Sequence, residues 1–230
     1  MGEYFRWINI DKKEYIEPYS FDCGGKITES SHLGNAFLCA LRELLFGEWS
    51  GDRIMFLGDY YNLPEDPQSG ILQDLFEQTA KAEKAACSYE ICCLDDFIDY
   101  YYRDVSCLFK AAESEVRRNI ASYIKDVENG EASEIPNQYR IDPENPYEGL
   151  FLKEGRDFRF TVNHTKKVCY SPGSVKFYLD NKEKTGADPL PLLLACGDTP
   201  VPGPWLGDII GVSDEIPEGY ELLSEVYLDW

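Results

Sequence analysis

Two short stretches of the chain occur twice, in the same order, and this restricts the fold to one that can accommodate a repeated unit. Trp49, Gly51, Asp52 and Ile54 read W-x-G-D-x-I, and Trp205, Gly207, Asp208 and Ile210 repeat the pattern 156 residues later. Residues 8–18, INIDKKEYIEP, align without a gap to residues 162–172, VNHTKKVCYSP, at an offset of 154, with Asn, both Lys and Pro identical. Collinear matches whose offsets differ by two residues point to internal duplication of a unit of roughly 60 residues. The alternative is two similar hairpins without common origin.

Within the first unit, residues 4–10 alternate apolar and polar side chains, which predicts a strand. Residues 11–13 turn the chain, 14–17 form a second strand, and Pro18 stops it because it lacks an N–H for the ladder. The second unit repeats strand, turn, strand and stop over residues 158–172. Asn35 is placed to cap a helix over 36–46, with Leu38, Leu41 and Leu45 on one stripe, Arg42 and Glu43 facing solvent, and Gly47 at the end. Residues 53–57 then read as a strand, apolar on both faces and so central and buried; 209–212 are its copy. Gly197, Pro200 and Pro202 argue against a full helix at the matching place in the second unit.

Between the units, residues 71–129 lack proline and carry helical spacing, which predicts two helices and a third within 94–110. The chain therefore divides into a first αβ unit (1–70), a helical insertion (71–130), a linker (131–149) and a divergent β-rich second unit (150–230) packed against the first. The expected class is α+β, two related mainly β units with helices between them.

The formal charge is −20, and no Lys or Arg follows Lys184. So acidic a surface lacks the basic footprint that DNA or RNA binding requires and favours either plain solubility or a partner with a basic surface. No basic, apolar leader opens the sequence and no run approaches the ~18 apolar residues of a membrane span, so the expected place is the cytoplasm and no membrane partner is expected. Eight cysteines without an export signal read as thiols, and with no C-x-x-C among them neither a redox dithiol nor a standard zinc knuckle is indicated.

Few residues declare chemistry. Asp52 and Asp208 follow a glycine and precede a strand, where a carboxylate can take backbone N–H groups and fix a turn. The functional alternative is a catalytic or metal-binding pair, one from each unit. Trp49 and Trp205 would anchor the turns, each indole N–H finding a carbonyl. Asp95 and Asp99 share a helix face at i,i+4; with Asp96 and Tyr101 they form a candidate interaction surface, an acidic face beside a buried tyrosine stripe. Two carboxylates could also hold a divalent cation, but no third ligand is correctly spaced, so the metal is left unassigned, and no cofactor and no catalytic residue are assigned. Cys169 with His164, or Cys23 with His32, would supply a thiolate only if the fold joined them to an orienting third group.

The segments YFRWIN, KKEYIEP, WSGDRIMFLGDY, VNHTKK and WLGDIIGVSD together resemble a family of uncharacterised bacterial proteins. The resemblance covers most of both end units and little of the helical segment. It implies a bacterial cytosolic protein and carries no activity. The leading functional expectation is an acidic protein-interaction module, of immunity or inhibitor type, that binds a basic partner. A small carboxylate-using hydrolase or metal-dependent enzyme is the alternative, and a structural or oligomerisation protein the third.

Overall fold

The computed structural model describes residues 3–60, 70–85, 94–131, 138–142, 144–197 and 202–229. Residues 61–69, residues 132–137 and 143 of the expected linker, and Cys87, Cys92 and Cys93 lie outside them. The first unit opens with the hairpin β1 (Phe5–Asn9) and β2 (Glu14–Ile16), then a 3-10 turn at Pro18–Phe21. A short α1 (Ile27–Ser30) leads to α2 (Ala36–Phe46) and β3 (Ile54–Gly58). Asn35 caps α2 by accepting the Leu38 N–H at 2.7 Å, so this helix starts and stops where its local signals place it.

The helical stretch holds α3 (Ile71–Ala85), α4 (Leu94–Tyr101) and α5 (Glu113–Glu128). The third expected helix ends at Tyr101, and the chain then extends as β4 (Arg103–Asp104), which pairs in parallel with β2. The second unit contains β5 (Phe160–Asn163), β6 (Val168–Tyr170), β7 (Lys176–Leu179), β8 (Lys182–Lys184) and α6 (Leu190–Leu193). It finishes with β9 (Ala195–Cys196), β10 (Ile210–Ser213), β11 (Glu221–Leu222) and β12 (Glu225–Leu228). The fold is α+β. The polar residues 182–184 form the outer strand of a small sheet, where exposed positions need no apolar alternation.

Three sheets form, in the strand orders β4-β2-β1-β3-β9, β10-β5-β6-β11 and β12-β7-β8. The five-stranded sheet is covered on both faces, which explains the unbroken apolar run of β3. Trp7, Ile16, Ile54 and Phe56 join α2 and second-unit residues such as Tyr170, Trp205 and Ile210 in one core. Ile8, Ile10, Met55 and Leu57 face Leu75 of α3 and Phe97 and Ile98 of α4 in another.

The repeat extends to pairing. Asn9 lies opposite Ile54 and Ile8 opposite Met55; Asn163 lies opposite Ile210 and Val162 opposite Gly211. Lys13 and Lys167 both take left-handed φ values, 55° and 56°, and Gly51 and Gly207 take 83° and 87°. Common descent is a separate inference from this shared geometry, and the sequence match is what suggests it. The two units also touch at equivalent positions, Arg53 bridging antiparallel to Ile209.

One expectation about α2 fails. Arg42 is 2% exposed, not solvent-facing, because the second unit covers that flank and supplies the counter-charges. Its guanidinium donates to Asp157 and to the fully buried Asp188. Asp188 is held in turn by the Tyr170 hydroxyl at 2.5 Å and the Leu190 N–H at 3.0 Å. A charge without such partners would be costly at this depth.

Candidate functional site

The two repeated sequence fragments are halves of one local network. Asp52 Oδ2 accepts Asn9 Nδ2 at 2.9 Å and lies 3.5 Å from Lys12 Nζ, while Asn9 Oδ1 accepts the Lys12 N–H at 2.9 Å. In the second unit Asp208 Oδ2 accepts Asn163 Nδ2 at 2.8 Å and pairs with Lys166, and Asn163 Oδ1 accepts the Lys166 N–H at 2.9 Å. Even the side-chain acceptor for the next residue recurs. Asp11 takes the Arg53 N–H at 2.7 Å, and Thr165 takes that of Ile209 at 2.9 Å.

The motif aspartates therefore fix the turn through an asparagine amide and a lysine, and not through the backbone N–H groups expected of them. Each is turned to the Asn and Lys of its own hairpin. The tryptophans anchor the same corners. Trp49 is fully buried, and its indole N–H donates to the Glu14 carboxylate at 2.8 Å, not to a carbonyl. Gly51 and Gly207 supply the positive φ that a side chain would resist. Ile54 and Ile210 are core residues.

A second cluster has a different character. Arg6, flanked by Phe5 and Trp7 in β1, points to the α4 side of the sheet. Its guanidinium donates to Asp99 Oδ1 at 2.5 Å and to Asp95, and its Nε lies 3.9 Å from Glu17. The guanidinium carbon sits 5.0 Å from the centre of the Tyr15 ring. Thus α4 does present Asp95 and Asp99 on one face, but their shared partner is an arginine from 89 and 93 residues away. Asp96 is exposed on that helix, Tyr101 is half-buried and Tyr100 is exposed. Of the expected tyrosine stripe only Tyr102 is buried, its hydroxyl bonded to Gln78 at 2.9 Å.

Above Arg6 opens a cleft of about 180 Å³ lined by Tyr4, Phe5, Arg6, Glu17, Tyr19, Asp59 and Asp95. Tyr4 and Tyr19, both exposed, stand with ring centres 6.1 Å apart. Asp59 is fixed by accepting the Tyr4 N–H at 2.9 Å. Gly25 lies against both tyrosines; a Cβ there would come within 3.1 Å of the Tyr4 ring and 3.3 Å of the Tyr19 hydroxyl.

Neither family models, nor curated proteins, nor solved structures give a match to this chain.

Burial draws the Arg6 guanidinium down, but the carboxylates of Glu17, Asp99 and Asp95 outweigh it, so Arg6 stays charged. Burial lifts Glu17 to about 7 against the opposing pull of Arg6, and lifts Asp95 as well. Beneath them Asp104 is raised to about 6, chiefly by burial, although the Ser106 N–H at 2.8 Å favours its charged form. The cleft thus offers three carboxylates and two tyrosine faces around a guanidinium whose terminal nitrogens are already engaged. Such a surface attracts cations and has little left for an anion.

The other candidates are quieter. Among the described residues no group of three or more His, Cys, Asp and Glu is placed to hold a metal ion. Burial pushes the thiols of Cys23, Cys39, Cys107 and Cys169 up, away from the nucleophilic thiolate. His164 Nδ1 lies 3.0 Å from the Tyr220 hydroxyl. Sequence reasoning missed Arg6, Glu17, Tyr19 and Asp59. For Arg6, Glu17 and Tyr19 the signal that could have found them is difference within the repeat, since at an offset of 154 they become Phe160, Ser171 and Gly173.

Proposed function

We propose that the protein is an acidic interaction module of the bacterial cytoplasm that takes a basic side chain of a partner protein into the cleft beside Arg6, in the manner of an immunity or inhibitor protein. The carrying observation is the lining itself, with Glu17, Asp59 and Asp95 set between exposed Tyr4 and Tyr19. Carboxylates supply the charge complement and tyrosines supply rigid apolar walls and cation–π contact. The charge of −20 would steer a basic partner from a distance, and no helix among the described residues is long and apolar enough to cross a membrane. Nucleic acid is a poor partner for this surface.

Titration with an oligo-arginine peptide, followed by NMR, tests the reading. The expected result is shifts centred on Tyr4, Tyr19 and Asp59, binding that weakens as salt rises, and affinity about three- to tenfold lower for Tyr19→Ala. Equal losses from Asp214→Asn, an exposed acid paired with Arg156 and outside the cleft lining, would reduce the binding to general charge and overturn the cleft as its seat.

A second reading, a carboxylate hydrolase, draws support from Glu17, whose carboxyl near 7 suits a general acid. It requires turnover of a substrate that Glu17→Gln abolishes while binding persists.

A further inference from the structure

The carboxylates around Arg6 are not equivalent. Asp95 and Asp99 take the two terminal nitrogens of the guanidinium, whereas Glu17 lies 3.9 Å from Nε, beyond hydrogen-bond reach. Its backbone is fixed, the N–H donating to Ser106 Oγ at 2.8 Å, and its side chain is 26% exposed where it lines the cleft. Glu17 is thus a carboxylate at the cleft floor, rooted at its main chain and without a close bond to the resident cation. Asp59, by contrast, is committed to the Tyr4 N–H.

We propose that Glu17 is the residue that selects the occupant of the cleft, forming the close ion pair with one guanidinium or ammonium group that enters between Tyr4 and Tyr19, and that uptake of this cation is coupled to loss of a proton from Glu17 to solvent. The proposal rests on the interaction-module reading above and names the chemistry of its site. A second cation at Glu17 completes a charge balance that Arg6, already engaged by Asp95 and Asp99, leaves open.

The groups facing Glu17 set the direction of the coupling. Arg6 of β1 favours its ionised form; Asp95 and Asp99 of α4 and Asp104 of β4 oppose it, and burial opposes it most. Tyr15 of β2, Tyr19 and Asp59 complete the surroundings. The proton balance is simple: the neutral carboxyl and the incoming cation give an ion pair and one proton in bulk water. The entering charge adds to the pull of Arg6, so the Glu17 midpoint, near 7 in the free protein, falls on binding. If only ionised Glu17 binds, affinity at pH 6 is about tenfold below that at pH 8.

Calorimetry with an oligo-arginine peptide, at pH 7 in buffers of different ionisation enthalpy, measures the proton directly. The expected result is net proton release in the wild-type protein and, for Glu17→Gln, no release with affinity about tenfold weaker. Carbon NMR of the wild-type Glu17 carboxyl should show its midpoint falling when peptide is added, a readout that does not depend on how the variant folds. Peptide that still binds at Tyr19 and Asp59 with no proton release and an unmoved Glu17 midpoint would overturn this inference and leave the interaction module standing. Absence of binding by both Tyr19→Ala and the wild type at low salt would overturn both.

Discussion

The two W-x-G-D corners have the same bones and different surroundings. Around both, Asn, Asp and Lys form the same network, the hairpin turns at a left-handed lysine, and a buried tryptophan closes the corner. In both, the second strand of the hairpin also takes a two-residue parallel strand at matching positions, β4 beside Glu14 and Tyr15 and β11 beside Val168 and Cys169. Among the described residues, however, only the first unit carries an 11-residue helix and the cleft with Arg6 and Glu17. The second has a helix of four residues, and Phe160 and Ser171 occupy the matching positions. What is shared builds the corner and what differs builds the cleft, so the repeated aspartates belong to the scaffold.

The strongest way to break the comparison is at the contact that joins the units without a repeated counterpart. Replacing Arg42 by alanine leaves Asp188 buried with no cation and is expected to cost about 3–5 kcal/mol in denaturant unfolding. A loss under about 1 kcal/mol would mean that the flank opens to water and the two units do not depend on this pair.

Next comes the shared network. Asp208→Ala and Asp52→Ala each strand an asparagine amide and a lysine, at a cost of about 1–3 kcal/mol. The Asp208 change is expected to cost more, because its side chain is 11% exposed against 20% for Asp52. Neither should alter peptide binding at the cleft. A selective loss of binding with Asp52→Ala would return that aspartate to the functional list.

The smallest effect concerns pH and Asp104, the buried carboxyl of the strand beside β2. Asp104 is raised to about 6 from the ordinary 3.8, so its folded form holds a proton more tightly than the unfolded chain does. Its contribution is full below the unfolded value and is lost as pH rises through about 6. Between pH 5 and 7.5 the unfolding free energy should therefore lose about 1 kcal/mol through Asp104, beside a loss in the same sense through Glu17, whose value is raised to about 7, and Asp104→Asn should remove only the Asp104 part of that slope. Asp11 and Glu48, whose values are lowered, contribute in the opposite sense and only in more acid solution.

The parts legible in sequence were those with local causes. Asn35 and Gly47 delimit α2 because cap signals act within one turn, and the apolar run at 54–57 announced a strand covered on both faces. Arg42 was misread because its partners lie 115 and 146 residues away, so helical periodicity could only place it on the polar flank. Asp95 and Asp99 were rightly put on one face, but nothing in their neighbourhood names Arg6. The cleft was hidden for the same reason, being assembled from residues 4–19, 59 and 95.

The bridge between Arg53 and Ile209 carries one more consequence. Positions equivalent in the repeat pair antiparallel with each other, which is the relation that a local twofold axis imposes on identical halves of a dimer. The two corners thus meet within one molecule at an antiparallel bridge. The cleft we propose for a partner lies elsewhere, around Arg6, where the symmetry is broken.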